Sequence, residues 1–219
     1  MKEFFDAIRG GDIAAVTALL DGDPSLVDAR DENGVPALAT AKYHGRADIA
    51  NLLLSRGASL DVFLSAMIGN VERAKWWIAE EPGSATAISA DGWTALHLSA
   101  FFNQPEVARV LIDAGADVNA RSTNQSANTP LHAAVAGRAS DVVRLLLERG
   151  AHVNARQHGG WTALHSVAQN GDTELARVLI AAGADVRARA DNQQSALDLA
   201  LTKGHQEMSQ LLDEYGAGQ

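Results

Sequence analysis

The sequence predicts an all-α fold, a solenoid of short stacked helix pairs joined by tight loops. Two markers carry that reading. Leu38, Leu96, Leu131, Leu164 and Leu197, each near the start of a short apolar run, are separated by 58, 35, 33 and 33 residues. Gly57, Gly115, Gly150 and Gly183, each closing a longer apolar run, are separated by 58, 35 and 33. The shared rhythm means that a unit of about 33 residues recurs. Self-similarity at that period marks a stack of units that contact their neighbours, rather than a domain around one central core. Composition agrees: 47% of residues are hydrophobic but only 5% aromatic, which suits small, closely packed helices.

The fullest unit is DGWTALHLSAFFNQPEVARVLIDAGADVNA, Asp91 to Ala120, and it returns as GGWTALHSVAQNGDTELARVLIAAGADVRA from Gly159 to Ala188. A threonine before the first helix (Thr94, Thr129, Thr162) caps it by accepting a backbone N–H. Pro130 sits at a first helical position, where its missing donor costs nothing. A break of Gly or Asn type then turns the chain, at Gly11, Gly45, Gly69, Asn103, Gly171 and Gly204. The second helix carries the longer apolar stripe, as in Val107, Val110, Leu111 and Ile112, and the glycine after it takes the left-handed conformation that ends a helix. Helices this short are marginal alone, so each unit depends on burying its faces against the next.

The 58-residue interval holds two units. Residues 4–58 match residues 62–116 without a gap at that offset, pairing Phe5 with Phe63, Pro24 with Pro82, Gly34 with Gly92 and Gly57 with Gly115. That gives one domain of seven units over residues 1–219, at about 1–30, 31–61, 62–90, 91–120, 121–155, 156–188 and 189–219.

These units closely resemble the ankyrin repeat, with its Gly-x-Thr-Pro-Leu-His, a Gly turn, Val-Val-x-Leu-Leu-Leu and Gly-Ala-Asp-Val-Asn-Ala. The resemblance covers essentially the whole chain. It implies helix-turn-helix units linked by projecting β-hairpin-like loops, a binding groove formed by loop tips and first helices, and no catalysis. It also implies structural histidines at His97, His132 and His165, their rings bonded to loop backbone. The departures are informative. Repeat 2 reads Val35-Pro36-Ala37-Leu38-Ala39 and lacks both the capping Thr and the His. Repeat 3 has no hairpin sequence, because Gly57-Ala58-Ser59-Leu60-Asp61 runs directly into Val62, so the row of tips is expected to be interrupted there. Repeat 5 carries a longer tip, Ser122 to Asn128, expected to be mobile. Repeat 7 has Asp198 in the His position and a polar second helix, so it reads as a C-terminal cap, with Gly216 to Gln219 expected to fray.

Several function classes drop out. With no cysteine there is neither a thiolate metal site nor a cysteine nucleophile. His44, His152, His158 and His205 have no partner at metal-ligand spacing. No nucleophile elbow or phosphate loop occurs, so the chain is expected to be no enzyme, with no cofactor and no metal. A net charge of −9 without a Lys/Arg cluster speaks against nucleic acid and anionic membranes. The start lacks a signal-peptide core and no apolar run is long enough to span a bilayer, so a soluble cytoplasmic protein is expected.

The expected site is where residues depart from what a scaffold needs. Trp93 and Trp161 hold the variable x of Gly-x-Thr. The ends of the first helices read Tyr43-His44, Met67-Ile68 and Phe101-Phe102 in repeats 2 to 4, then small or polar in repeats 5 to 7. Partly exposed aromatics in a row are interface anchors. The partner is therefore expected to be another protein, bound through Tyr43, His44, Met67, Ile68, Trp93, Phe101, Phe102 and Trp161. The alternative is a homodimer closed by the same patch. Packing of the rings on one another within the stack competes with both. Trp76-Trp77 is expected to fill space left by the missing hairpin, the alternative being that one ring is exposed and touches a partner.

Overall fold

A computed structural model of the chain describes residues 1–217, and these form fourteen α-helices in seven consecutive pairs. The pairs are α1 Lys2–Gly10 with α2 Ile13–Gly22, α3 Ala37–Tyr43 with α4 Ala47–Ser55, α5 Val62–Ile68 with α6 Val71–Glu80, and α7 Ala95–Phe101 with α8 Pro105–Asp113. They continue as α9 Pro130–Ala136 with α10 Ser140–Glu148, α11 Ala163–Asn170 with α12 Thr173–Ala181, and α13 Ala196–Lys203 with α14 Gln206–Ala217. The first helices pack in chain order as one row, α1 against α3 and so on to α13, and the core runs along the stack between the two rows. Ala66, Ala100, Ala134, Ala168 and Ala200 are wholly buried on the first helices, where the absence of a longer side chain lets neighbours approach closely.

Local chemistry accounts for the helix ends. Asp12, Asp61, Asn70 and Asp172 each place a side-chain oxygen 2.8–2.9 or 3.0 Å from the N–H three residues on. The turns inside the pairs use left-handed residues at Gly11, Gly45, Gly69, Asn103, Gly171 and Gly204, as the sequence predicts. In the fifth pair the left-handed residue is Arg138, at φ 54°, while Gly137 next to it is ordinary right-handed backbone. That glycine therefore answers to something other than φ. Residues 24–28 and 82–86 each form a 3-10 turn after the second helix, 58 residues apart, so the internal duplication extends to structure that periodicity does not reveal. Gly216 and Ala217, expected to fray, belong to α14; Gly218 and Gln219 lie outside the described residues.

Hairpins precede five of the first helices. Residue pairs Arg30–Pro36, Ile88–Thr94 and Arg189–Ser195 form antiparallel bridges, and Ser122 and Gln157 donate to the Asn128 and Trp161 carbonyls in the equivalent places. Residues 57–61 form none, because Asp61 is already the cap of α5. The long tip of repeat 5 is tied down rather than loose. Thr123 donates to the Gly92 carbonyl at 2.9 Å, Asn124 Nδ2 to the Asp91 carbonyl at 3.0 Å, and Ser126 accepts from the His158 N–H at 2.9 Å. Its extra residues are spent on contacts to both neighbouring tips.

Three side-chain ladders stitch successive pairs. The first is Asn119 and Asn154, each reaching the next closing loop: Asn154 Nδ2 donates to the Gly183 carbonyl at 2.9 Å and its Oδ1 accepts the Asp185 N–H at 2.8 Å. The second is arginine: Arg121 donates to the Arg156 carbonyl and Arg156 to the Arg189 carbonyl. The third is the histidine ladder, described with the site. Asn154→Ala removes two cross-pair hydrogen bonds at once, so a loss of about 1–2 kcal/mol is expected. It should appear as a lower urea midpoint at unchanged slope.

Candidate partner-binding face

The site grows from the missing hairpin. Without a loop over α5, the hairpin of residues 30–36 and that of residues 88–94 face one another directly, and a Cβ built on Gly34 would lie 3.5 Å from the Ala90 Cβ. Behind that contact lies a cleft of about 200 Å³ walled by Val35, Phe63, Met67, Ile88 and Leu98. Arg30 and Asp61, 3.7 Å apart, also line it.

Tyr43, at the end of α3, leaves its own unit. Its hydroxyl donates to the Asp91 carboxylate on the hairpin before α7, and its ring packs 5.9 Å from that of Phe102. Burial and the bond to Asp91 both push the phenol's pKa upward, so it stays a donor at any working pH. Lys42 lies 4.9 Å over the Phe102 ring, and burial lowers its ammonium pKa. From Phe102 the run continues edge-on to Phe101 at 5.0 Å and from Phe101 to Trp93 at 5.7 Å. Trp93 is held by its hairpin: its N–H donates to Ser89 Oγ, and Ser89 donates to the Trp93 carbonyl and to Asp91. Tyr43, Phe102, Phe101 and Trp93 thus form one aromatic run from the second pair to the fourth. In a regular stack each unit meets only its neighbours; here the second pair touches the fourth.

The expected site residues divide on this geometry. Phe101, Phe102 and Trp93 are half-buried, packed on each other and on the core while keeping an exposed edge, and Tyr43 is 36% exposed. Met67 is 1% exposed, a floor residue of the cleft rather than a member of the surface row, because no hairpin lifts α5 toward the face. Ile68 is half-buried against the core. His44 is exposed, with its ring turned back onto the Thr40 carbonyl at 2.9 Å. Trp161 lies apart from the aromatic run and packs on His165 at 5.9 Å. Trp76 and Trp77 also divide: Trp77 donates to the Leu60 carbonyl at 2.6 Å and props the short loop, whereas Trp76 is 44% exposed with Arg73 stacked 4.3 Å above it. Neither the cleft nor the Tyr43–Asp91 link, a contact between residues 48 apart, is visible in the sequence, because both lie where the intervening hairpin is absent.

The histidines behind this face do structural work. His97, His132 and His165 are buried, with Nε2 3.1, 3.3 and 3.2 Å from the Asn128, Trp161 and Gln194 carbonyls of the next hairpin. Each Nδ1 faces the hydroxyl and N–H of its own capping threonine. A carbonyl at one nitrogen and donors at the other fix the neutral Nε2–H tautomer. Burial lowers all three, His97 and His132 to about 4, against the partial opposition of the carbonyl contacts. In the last unit Asp198 takes over the capping role, accepting from Ser195 N–H and hydroxyl at 2.9 and 2.8 Å. Among the described residues no three His, Asp or Glu side chains converge as a metal site, and no helix is long and apolar enough to cross a membrane.

Comparison with known proteins identifies the repeat. Two family models match, both for ankyrin repeats: one for three copies over residues 62–157, the other for many copies over residues 140–180. The chain is 41% identical over 122 residues to mouse ankyrin repeat and SAM domain-containing protein 6, 30% over 124 residues to a Caenorhabditis elegans homolog of transient receptor potential cation channel subfamily A member 1, and 28% over 114 residues to alpha-latrocrustotoxin-Lt1a of Latrodectus tredecimguttatus. The matches take in 56%, 52% and 48% of this chain but only 11%, 10% and 8% of those relatives. Of these three relatives, the mouse protein is itself named for ankyrin repeats. The period, the Thr–His caps and both family models agree, and the chain belongs to the ankyrin repeat family, whose repeats generally serve as non-catalytic protein–protein interaction modules.

Proposed function

We propose that this chain is a binding module that holds a partner protein against the tips and first helices of its second to fourth helix pairs. The observation that carries the proposal is the continuous run Tyr43–Phe102–Phe101–Trp93, whose rings are fixed by one another yet keep an exposed edge. Aromatic anchors held in place before binding lose little side-chain freedom when covered, and each contributes roughly 2 kcal/mol or more. The net charge of −9 favours a basic or apolar partner over nucleic acid or an anionic membrane.

The test is affinity capture from the native host with the purified chain, compared with the Trp93→Gln/Phe102→Gln variant and with Trp161→Gln, which lies off the run. The double variant is expected to lose at least tenfold in capture, about 1.4 kcal/mol or more, while Trp161→Gln holds its partner. Equal capture by the double variant and the native chain would sink the assignment of this face. Sedimentation of the purified chain settles the competing occupant: a stable dimer that the double variant dissolves would give the run to self-association instead.

A further inference from the structure

We propose that the slot left by the missing hairpin is an anchor pocket, taking one bulky apolar side chain from an extended, positively charged segment of the partner protein. The inference rests on the reading of the chain as a protein-binding module and names what that face recognises.

Size decides the class of occupant. A cleft of about 200 Å³ is smaller than the roughly 300 Å³ at which sites for organic ligands and cofactors begin. It is larger than the roughly 150 Å³ apolar cavity that accepts benzene. One phenylalanine- or leucine-sized side chain fits. Val35, Phe63, Met67 and Leu98 make most of the wall apolar, and Ile88, 50% exposed, stands at the mouth. The hairpins of residues 30–36, 121–128, 156–161 and 189–195 carry arginine at the equivalent position, namely Arg30, Arg121, Arg156 and Arg189, and the last three lie in the cross-hairpin ladder or at its end. Of the five hairpins, only that of residues 88–94 replaces the arginine with an apolar residue, Ile88.

The backbone supplies a second observation. In the later hairpins the first tip residue donates to the preceding tip: Thr123 to Gly92, His158 to Ser126 and Asp191 to Gly159, each at 2.9 Å. Ala90 is the equivalent residue beside the slot, and among the described residues its N–H has no backbone or side-chain acceptor. An extended segment lying where the absent tip would be brings a carbonyl to that N–H while its side chain enters the cleft.

Charge sets the sign. Of the ionisable groups lining the slot, Arg30 is engaged with the Gly34 carbonyl and Asp61. Asp91 receives the Tyr43 and Ser89 hydroxyls but, among the described residues, no cation. One uncompensated carboxylate at the mouth favours a lysine or arginine beside the anchor and disfavours an acidic neighbour.

The experiment uses the full chain with ¹³C-labelled methionine and isoleucine methyls and three capped tripeptides: lysyl-phenylalanyl-lysine, lysyl-alanyl-lysine and glutamyl-phenylalanyl-glutamate. The first is expected to shift the Met67 and Ile88 methyl signals saturably, and the other two to bind at least tenfold more weakly. Ala39→Leu, which fills the slot from α3, and Ile88→Arg, which closes its mouth with a cation, should each weaken the first peptide at least tenfold. Far-ultraviolet circular dichroism confirms that each variant is folded, and loss of binding in either one is sufficient. Equal binding of the alanine peptide, or shifts that persist in both variants, overturns the pocket. Saturable binding that leaves the Met67 and Ile88 methyl signals unmoved overturns it too while leaving the aromatic face intact. Filling of the slot by the phenylalanine peptide, together with unchanged partner capture by the Trp93→Gln/Phe102→Gln chain, overturns that face instead.

Discussion

Lowering the pH from about 7 to about 4 is expected to remove on the order of 6 kcal/mol of folding stability, through His97 and His132 alone. Both are held neutral in the fold with pKa values of about 4, against the ordinary 6.5, mainly because burial disfavours the imidazolium. The sign follows directly. The unfolded chain takes up protons from pH 6.5 downward and the native state does not. The stabilisation is therefore complete above about 6.5, drains away as the pH falls, and levels off below about 4. Geometry adds to the penalty: a proton on Nδ1 would face the N–H of Thr94 or Thr129, donor against donor. His165 is displaced in the same direction and steepens the same window. Since a domain's whole stability is roughly 5–15 kcal/mol, acid on this scale comes close to unfolding the chain. Urea titrations at about pH 7, 5.5 and 4.5 would show the midpoint falling, and His132→Gln should reduce the slope against pH. A midpoint that stays level across this range would show that the histidines are not held neutral by the stack.

Gly137→Ala is expected to cost about 2–3 kcal/mol, which is large for the addition of one methyl group. Its backbone is ordinary, at φ −79°, so the cost has nothing to do with conformational freedom. A Cβ there would collide with the carbonyl carbon and oxygen of Phe101, across the contact of α9 with α7. Backbone cannot rotate out of the way as a side chain does, so the two helices must part and the Phe101–Phe102 edge must move with them. Gly10, also right-handed, has open space around its Cβ position, and Gly10→Ala is expected to be neutral or stabilising by up to about 1 kcal/mol. Thermal denaturation of the two variants separates packing from helix propensity. If both behave alike, the close approach at Gly137 is not a constraint on the stack.

The fold is legible in the sequence because a repeat states its instructions many times over. The Thr caps, the left-handed glycines and the apolar stripes each recur, so a lapse such as Pro36 in place of the Thr stands out against its copies. The site is only half legible. That Tyr43, Phe101, Phe102 and Trp93 are too aromatic for a scaffold is visible from their positions, and so is the absence of a hairpin before α5. What the absence produces is not visible. The reach of Tyr43 to Asp91, the burial of Met67 and the opening of the cleft depend on how two hairpins settle when the one between them is gone. Gly137 carries the same lesson at smaller scale. In the sequence it is one of the small residues at the end of a first helix, and only the neighbouring carbonyl shows that it is there for clearance. The pinned tip of repeat 5 is a third case, since extra loop length alone does not reveal that Asn124 and Thr123 bond to the hairpin before it.

The contact between the second and fourth helix pairs also changes how the array responds to bending. A solenoid whose units touch only their neighbours flexes as an even spring, with strain shared along its length. Here the tyrosine–carboxylate bond and the Tyr43–Phe102 ring contact span two junctions at once, on the side of the tips. They act as a stop in compression and a tether in extension. The span from α3 to α7 is therefore stiffer on the side of the tips than the rest of the array, so bending is taken up mainly at the untethered junctions. A load that pulls these tips apart is borne by the tyrosine–carboxylate bond and the ring contact.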